Sequence, residues 1–193
     1  MISPILRFPF CLLSIVYFLL AFSSCKNKTD YSKEISRLDS AVAKLKEAEK
    51  VFLSVDTNSL KNIYNSSQEK LHLITDKISK DTVKKKTAMF LSEAYSHTGN
   101  LHNLLENKKF MERALKDGEQ RISDLKHDLT EDLIEKNKST EYIVNELSAS
   151  QKIYDVVNKA IKNAKSSSSK LDSMKTQIIF LADSVKGIMT NEK

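Results

Sequence analysis

The chain has 193 residues, the size of one domain, with 31 Lys and Arg against 25 Asp and Glu, a formal net charge of +6, three Gly, two Pro and no Trp. Both prolines, Pro4 and Pro9, fall in the first ten residues, and the three glycines, Gly99, Gly118 and Gly187, stand too far apart for a phosphate-cradling loop or a dinucleotide fingerprint. So few turn formers exclude a β-rich or α/β fold with its many corners, and point to a few long helices.

Met1 to Arg7 carries one positive charge, and Phe8 to Phe22 is a run of fifteen residues in which Ser14 is polar. That run is short of the roughly 20 apolar residues a spanning helix needs, and it suits the apolar region of a secretory signal. Two small residues, Ser23 and Ser24, precede Cys25, and Lys26-Asn27-Lys28-Thr29-Asp30 then turns abruptly polar. On these residues the segment Leu20-Ala21-Phe22-Ser23-Ser24-Cys25 resembles the lipobox of bacterial lipoproteins, with Phe22 where an aliphatic residue is commoner. The resemblance covers the export signal alone. It implies that residues 1–24 are a lipoprotein signal peptide, that Cys25 is the lipid-attachment residue, carrying diacylglyceryl and a further acyl chain such as palmitate, and that residues 25–30 are the lipidated cysteine and a polar tether. Two or more buried acyl chains give the stable membrane anchoring that one chain does not. An uncleaved signal anchor and ordinary cleavage near Ser24 are the competing readings of the same residues. Cys11 lies in the segment to be removed, so lipidation of Cys25 leaves no disulfide within the mature chain.

Beyond the tether, residues 31–190 read as one helical domain with helices over about 31–55, 59–79, 83–135 and 140–189. In the first, Ile35, Leu38, Val42, Leu45, Phe52 and Val55 recur at helical spacing, and Asp56-Thr57-Asn58-Ser59 supplies the capping residues that end it. Leu60, Ile63, Tyr64, Leu71, Ile74 and Ile78 form the stripe of the second, with a corner expected at Lys80-Asp81-Thr82. The third stripe runs from Phe90 to Leu133 without a strong breaker, and the next corner is expected at Asn137-Lys138-Ser139, with Ser139 capping the last helix. That last helix has the cleanest heptad: Ile143, Ser150, Val157, Ala164, Leu171, Ile178 and Val185 form one row. A companion row begins as Leu147, Tyr154, Ile161 and Ser168 and shifts to Met174, Leu181 and Ile188. Ser166 to Ser169 reads either as a hinge or as a small polar face.

Two helices of about 50 residues would each be roughly 75 Å long, too long for a compact globule. The expected architecture is all-α, an elongated helical bundle with a long antiparallel coiled-coil hairpin and the two shorter helices packed along one part of it. Ser150, Ser168 and Gly118 in core-like positions leave grooves that a partner can fill.

The chemistry-bearing residues are sparse. His72, His102 and His127 each have a carboxylate four residues on, Asp76, Glu106 and Glu131, yet two ligands do not make a metal site, and neither HExxH nor paired Glu-x-x-His sets occur. Ser167 to Lys170 matches S-x-x-K without its companion motifs. No catalytic residue, cofactor or metal is expected, and the protein reads as a non-enzyme. Removal of Arg7 with the signal leaves thirty basic against twenty-five acidic side chains, and clusters such as Lys84-Lys85-Lys86 and Lys108-Lys109 sit among acids, which reads as a solvated mixed-charge face. Nucleic acid is not an expected partner, because the aromatics are not grouped on a basic face.

The expected function is that of a lipid-anchored cell-envelope protein, a non-catalytic helical structural or protein-interaction module, with self-association or an envelope protein as the partner. Lys26 after the cysteine, in place of an aspartate, favours the outer membrane. The alternative is a tether to the cell wall, through Lys193 or the basic helix faces. A long helical lipoprotein ending in lysine is similar to the murein lipoprotein, whose terminal lysine is joined to peptidoglycan, although this chain is much longer and its heptad less regular.

Overall fold

The computed structural model describes residues 29–77 and 84–190, with side chains through residue 186. Nearly all of them belong to four helices: α1 (Ser32–Leu53), α2 (Thr57–Lys77), α3 (Lys85–Thr130) and α4 (Lys136–Thr190). No strand occurs among the described residues, and the helices pack on one another as an all-α bundle. Cys25, Lys193, the signal segment 1–24 and the corner expected at Lys80-Asp81-Thr82 lie outside the described residues.

Two aspartates decide where the first two helices start. Asp30 accepts the Ser32 N–H at 3.0 Å and also the Ser32 hydroxyl, and these donors hold its exposed carboxyl below the ordinary value. Asp56 accepts the N–H groups of Asn58 and Ser59 at 3.1 and 3.0 Å, so α2 begins at Thr57 rather than near Ser59. Between them α1 ends at Leu53, where the Ser54 and Val55 N–H groups return to Lys50 and Phe52. The break has a packing reason as well. Leu38, Leu45 and Phe52 are buried at intervals of seven, and a continued helix would put Ser59 next in that row; the turn at residues 54–56 brings Leu60 inward instead.

The corner between α3 and α4 corrects the expectation. It spans residues 131–135, not Asn137-Lys138-Ser139. Asp132 adopts the left-handed conformation at φ 55°, its N–H bonds to the Leu129 carbonyl, and the Leu133 N–H bonds to the Asp128 carbonyl at 2.9 Å. This is the double hydrogen bond of a Schellman helix end, with aspartate in the position that glycine usually fills. Leu133 leaves the stripe and is 67% exposed. Ser139 is not a cap: it is buried in the first turn of α4, its hydroxyl donating to the Lys136 carbonyl, and Glu135 accepts the first N–H groups instead.

Pairs across the helices fix their directions. Arg121 with Glu146 and Asn100 with Ser167 make α3 and α4 an antiparallel hairpin. Lys126 pairs with Asp39, Lys108 with Thr57, His102 with Tyr64 and Tyr95 with Thr75. Along α3 from its N-terminus, therefore, α2 and then α1 run antiparallel to it. The two short helices do not share one part of the hairpin as expected; they lie end to end, one along each half. The bundle is a three-row rod, and one row is interrupted at residues 54–56.

The heptad row of α4 is buried along its whole described length, Ile143, Ser150, Val157, Ala164, Leu171, Ile178 and Val185. The companion row needs no shift. Ser139, Ala160, Ser167 and Met174 are buried at multiples of seven, with Glu146, Ile153 and Leu181 half-buried between and after them, while in the expected row Ile161 is buried and Leu147, Tyr154 and Ser168 are half-buried. Because α4 touches all three other helices, its inward face is wider than two rows. Among the described residues every buried apolar side chain falls between Tyr31 and Val185, so a chain starting after Cys25 keeps the whole described core.

Candidate functional site

Three core-like positions, Ser150, Ser168 and Gly118, carry the expectation of grooves; Ser150 lines one, and the space at Gly118 is filled. A Cβ on Gly118 would stand 3.1 Å from Ile153 Cδ1 and 3.1 Å from Leu45 Cδ1, so side chains of α1 and α4 already fill the space beside α3. Ser168 is half-buried, and its neighbour Ser167 is the buried one, with its hydroxyl occupied by α3. At Ser150 the residues facing from α1 are also small. Ser40 and Ala41 there, with Ser150 on α4, leave a cleft of about 300 Å³ between the two helices.

The cleft is built in two layers. Ala41, Leu147 and Tyr154 are half-buried and form its apolar floor, while Arg37, Lys44 and Gln151 stand exposed at its rim. The serines are already engaged: Ser40 donates to the Ser36 carbonyl at 2.9 Å and Ser150 to the Leu147 carbonyl at 2.9 Å. Lys44 Nζ donates to Gln151 Oε1 at 3.3 Å, and Gln151 Nε2 donates onward to Asp155 at 2.9 Å. Among the described residues no carboxylate lies within 4.0 Å of the Arg37 or Lys44 nitrogens. A cleft on another face, bounded by Asp39, Lys46, Lys116, Glu119 and Lys126, is different in kind: Lys126 pairs with Asp39, and acids and bases are interleaved. There one Glu119 oxygen is buried without a hydrogen-bond partner. Burial first, and then the charge of Glu49, push the Glu119 carboxyl above its ordinary pKa, against the pull of Lys46 and Lys116.

The histidines do not pair with the carboxylates four residues on. His72 Nε2 lies 2.8 Å from the Gln68 amide nitrogen, with its ring edge-on to Tyr95, and His102 stacks on Tyr64 with centroids 5.4 Å apart. His127 offers its backbone carbonyl to the Glu131 N–H. His97, which has no such carboxylate, makes the interhelical contact: Nδ1 is 3.1 Å from Ser167 Oγ, which also accepts from Asn100 Nδ2 at 3.0 Å. Its Nε2 is buried without a hydrogen bond, 3.7 Å from Glu93. This polar layer is not legible in the sequence, where Ser167 belongs to a run of serines and His97 has no carboxylate four residues on. Ser167 is 1% exposed, so the pair locks α3 to α4 instead of presenting a hydroxyl to solvent. The α4 helix runs unbroken through Ser166 to Ser169, which supports the small polar face over the hinge.

Among the described residues no group of three or more His, Cys, Asp or Glu is arranged to hold a metal ion, and no helix is long and apolar enough to cross a membrane. The architecture defines the protein as an elongated all-α bundle. Neither family models, nor curated proteins, nor solved structures give a match to this chain.

Proposed function

We propose that this protein is a lipid-anchored cell-envelope protein, held at Cys25, in which a non-catalytic helical rod serves as a structural or protein-interaction module. The observation that carries the reading is the apolar run Phe8 to Phe22 followed by Ser23-Ser24-Cys25, and the position of the first described residues says which end of the rod such an anchor would hold. Thr29, Asp30 and Tyr31 lie against Lys136, Ser139 and Thr140, at the corner end of the rod. Five residues lead from Cys25 to Asp30, a reach of at most about 18 Å. An acyl group at Cys25 would therefore hold the rod by its corner end, and α3, with 46 residues, extends about 69 Å from it. The outer membrane is the favoured site. Large apolar side chains exposed along the rod, Phe110 at 70% and Phe180 at 68%, are suited to an envelope partner or to a second copy.

Mass spectrometry of the protein isolated from its own envelope tests the anchor. The expected product begins at Cys25 and carries acyl mass, and Cys25→Ser moves the protein to the soluble fraction. A chain cleaved at another residue, or one without acyl mass, overturns the reading. The tether to the cell wall is favoured by one feature, that α4 runs from the corner to Thr190 at the far end of the rod from Asp30. Release of the protein from washed sacculi by muramidase supports the tether, and its absence from the sacculi excludes it.

A further inference from the structure

We propose that the cleft between α1 and α4 is a binding site for an oxyanion, a phosphate or carboxylate group, carried on a ligand with a flat apolar arm. Two cations stand at its rim two helical turns apart on α1, Arg37 and Lys44, and neither has a carboxylate within 4.0 Å among the described residues. The clefts beside Lys85, Lys136 and Lys116 each include a carboxylate in their lining, Glu93, Glu34 and Glu119 among them, whereas this one is lined by two cations and no acid. The Arg37 guanidinium offers the planar, forked donor set that matches a phosphate or carboxylate. Lys44 is held toward the cleft by the neutral Gln151 carbonyl, a contact an anion can displace or share.

The floor selects what the anion is attached to. Ala41, Leu147 and the Tyr154 ring are half-buried, so an arm lying along them removes apolar surface from water on both partners. The volume, about 300 Å³, is at the lower end of the range for small-molecule sites and admits one ring or a short chain. The serine hydroxyls donate to their own helices, so they add no competing donor and leave charge and shape to select the ligand. The proposal is independent of the lipid anchor, since it rests on α1 and α4 alone.

The test uses residues 26–193, which hold the entire described core, followed by amide NMR. Phenyl phosphate is the probe, with inorganic phosphate and benzyl alcohol supplying the charge alone and the ring alone. Saturable shifts are expected at Gln151 and Tyr154, with affinity for phenyl phosphate at least roughly tenfold above either part. The exposed double substitution Arg37→Gln/Lys44→Gln weakens binding by about tenfold or more at an unchanged melting temperature, while Lys61→Gln/Lys109→Gln on other faces leaves it unchanged. Cosedimentation with phosphatidylglycerol but not phosphatidylcholine vesicles, lost in the Arg37/Lys44 variant, assigns the anion to a lipid headgroup. Phenyl phosphate binding without vesicle binding assigns it to a soluble ligand. Shifts spread over all lysine-bearing faces, or equal loss in both double variants, overturn the proposal, as does the absence of saturable binding.

Discussion

Glu119 has one carboxylate oxygen sealed from water with nothing to bond, and burial raises its pKa above that of the unfolded chain. The folded state therefore binds a proton more readily than the unfolded state, so this residue makes stability fall as the pH rises from the ordinary glutamate value through the raised folded one. Glu119→Gln removes that slope. Thermal melts between pH 4 and 8 should converge for variant and parent in mild acid and separate near neutrality, with the variant higher by about 1–2 °C. An unchanged slope would mean that Glu119 titrates as an ordinary surface group. Gly99 and Gly118 make a second contrast. Gly99 has nothing within 4 Å of an added Cβ, and Gly118 has Ile153 and Leu45 at 3.1 Å. Gly99→Ala should stabilise by about 0.5–1 kcal/mol through helix propensity alone, whereas Gly118→Val, forcing two core side chains aside, should cost about 1–3 kcal/mol. Urea titrations of the two variants check both signs.

The element that departs most from its expected course is the corner between α3 and α4. Leu129 and Leu133 are one turn apart, and a stripe of leucines predicts that the helix continues. Backbone geometry overrides it, because the chain reverses at Asp132 and Leu133 is left in solvent. Asp132→Gly fits the left-handed position without a Cβ and should raise stability by up to about 1 kcal/mol. Leu133→Ser should leave the melting temperature within about 1 °C, as an exposed position away from packing does. A fall of several degrees in either variant would mean that the corner carries packing the structure does not contain. The break between α1 and α2 has a counterpart of the same kind. Lys108 falls in the row of sevens Ala94, Leu101, Leu115, Ile122 and Leu129, where an apolar residue is the rule, and its Nζ reaches Thr57 at the interruption. A lysine in a core row is tolerated where the opposing row has a gap.

At the scale of the whole molecule, α4 with 55 residues sets the length at about 82 Å. Small-angle scattering from residues 26–193 should give a maximum dimension near that value for a single rod, and a clearly larger one for end-to-end association. Exposed ion pairs such as Arg121 with Glu146 add little to stability, so the rod depends on its apolar rows. Ile122→Ala, at a fully buried site, should cost about 2–5 kcal/mol.

The scarcity of Gly and Pro and the spacing of the apolar residues were enough, from the sequence alone, to determine four helices, their approximate extents and the buried heptad row from Ile143 to Val185. These are local properties, since helix propensity and periodicity act over a few turns of one segment. Other features depend on residues brought together from far apart in the chain, and only the tertiary structure decided them. It set α1 and α2 end to end, closed the space at Gly118 with Leu45 and Ile153, and left the space at Ser150 open because Ala41 faces it. The same packing turned His97 and Ser167, seventy residues apart, into the polar lock between α3 and α4. A small residue in a row looks the same from its own helix whether the opposite side chain is large or small, and that difference separates a filled core from a cleft.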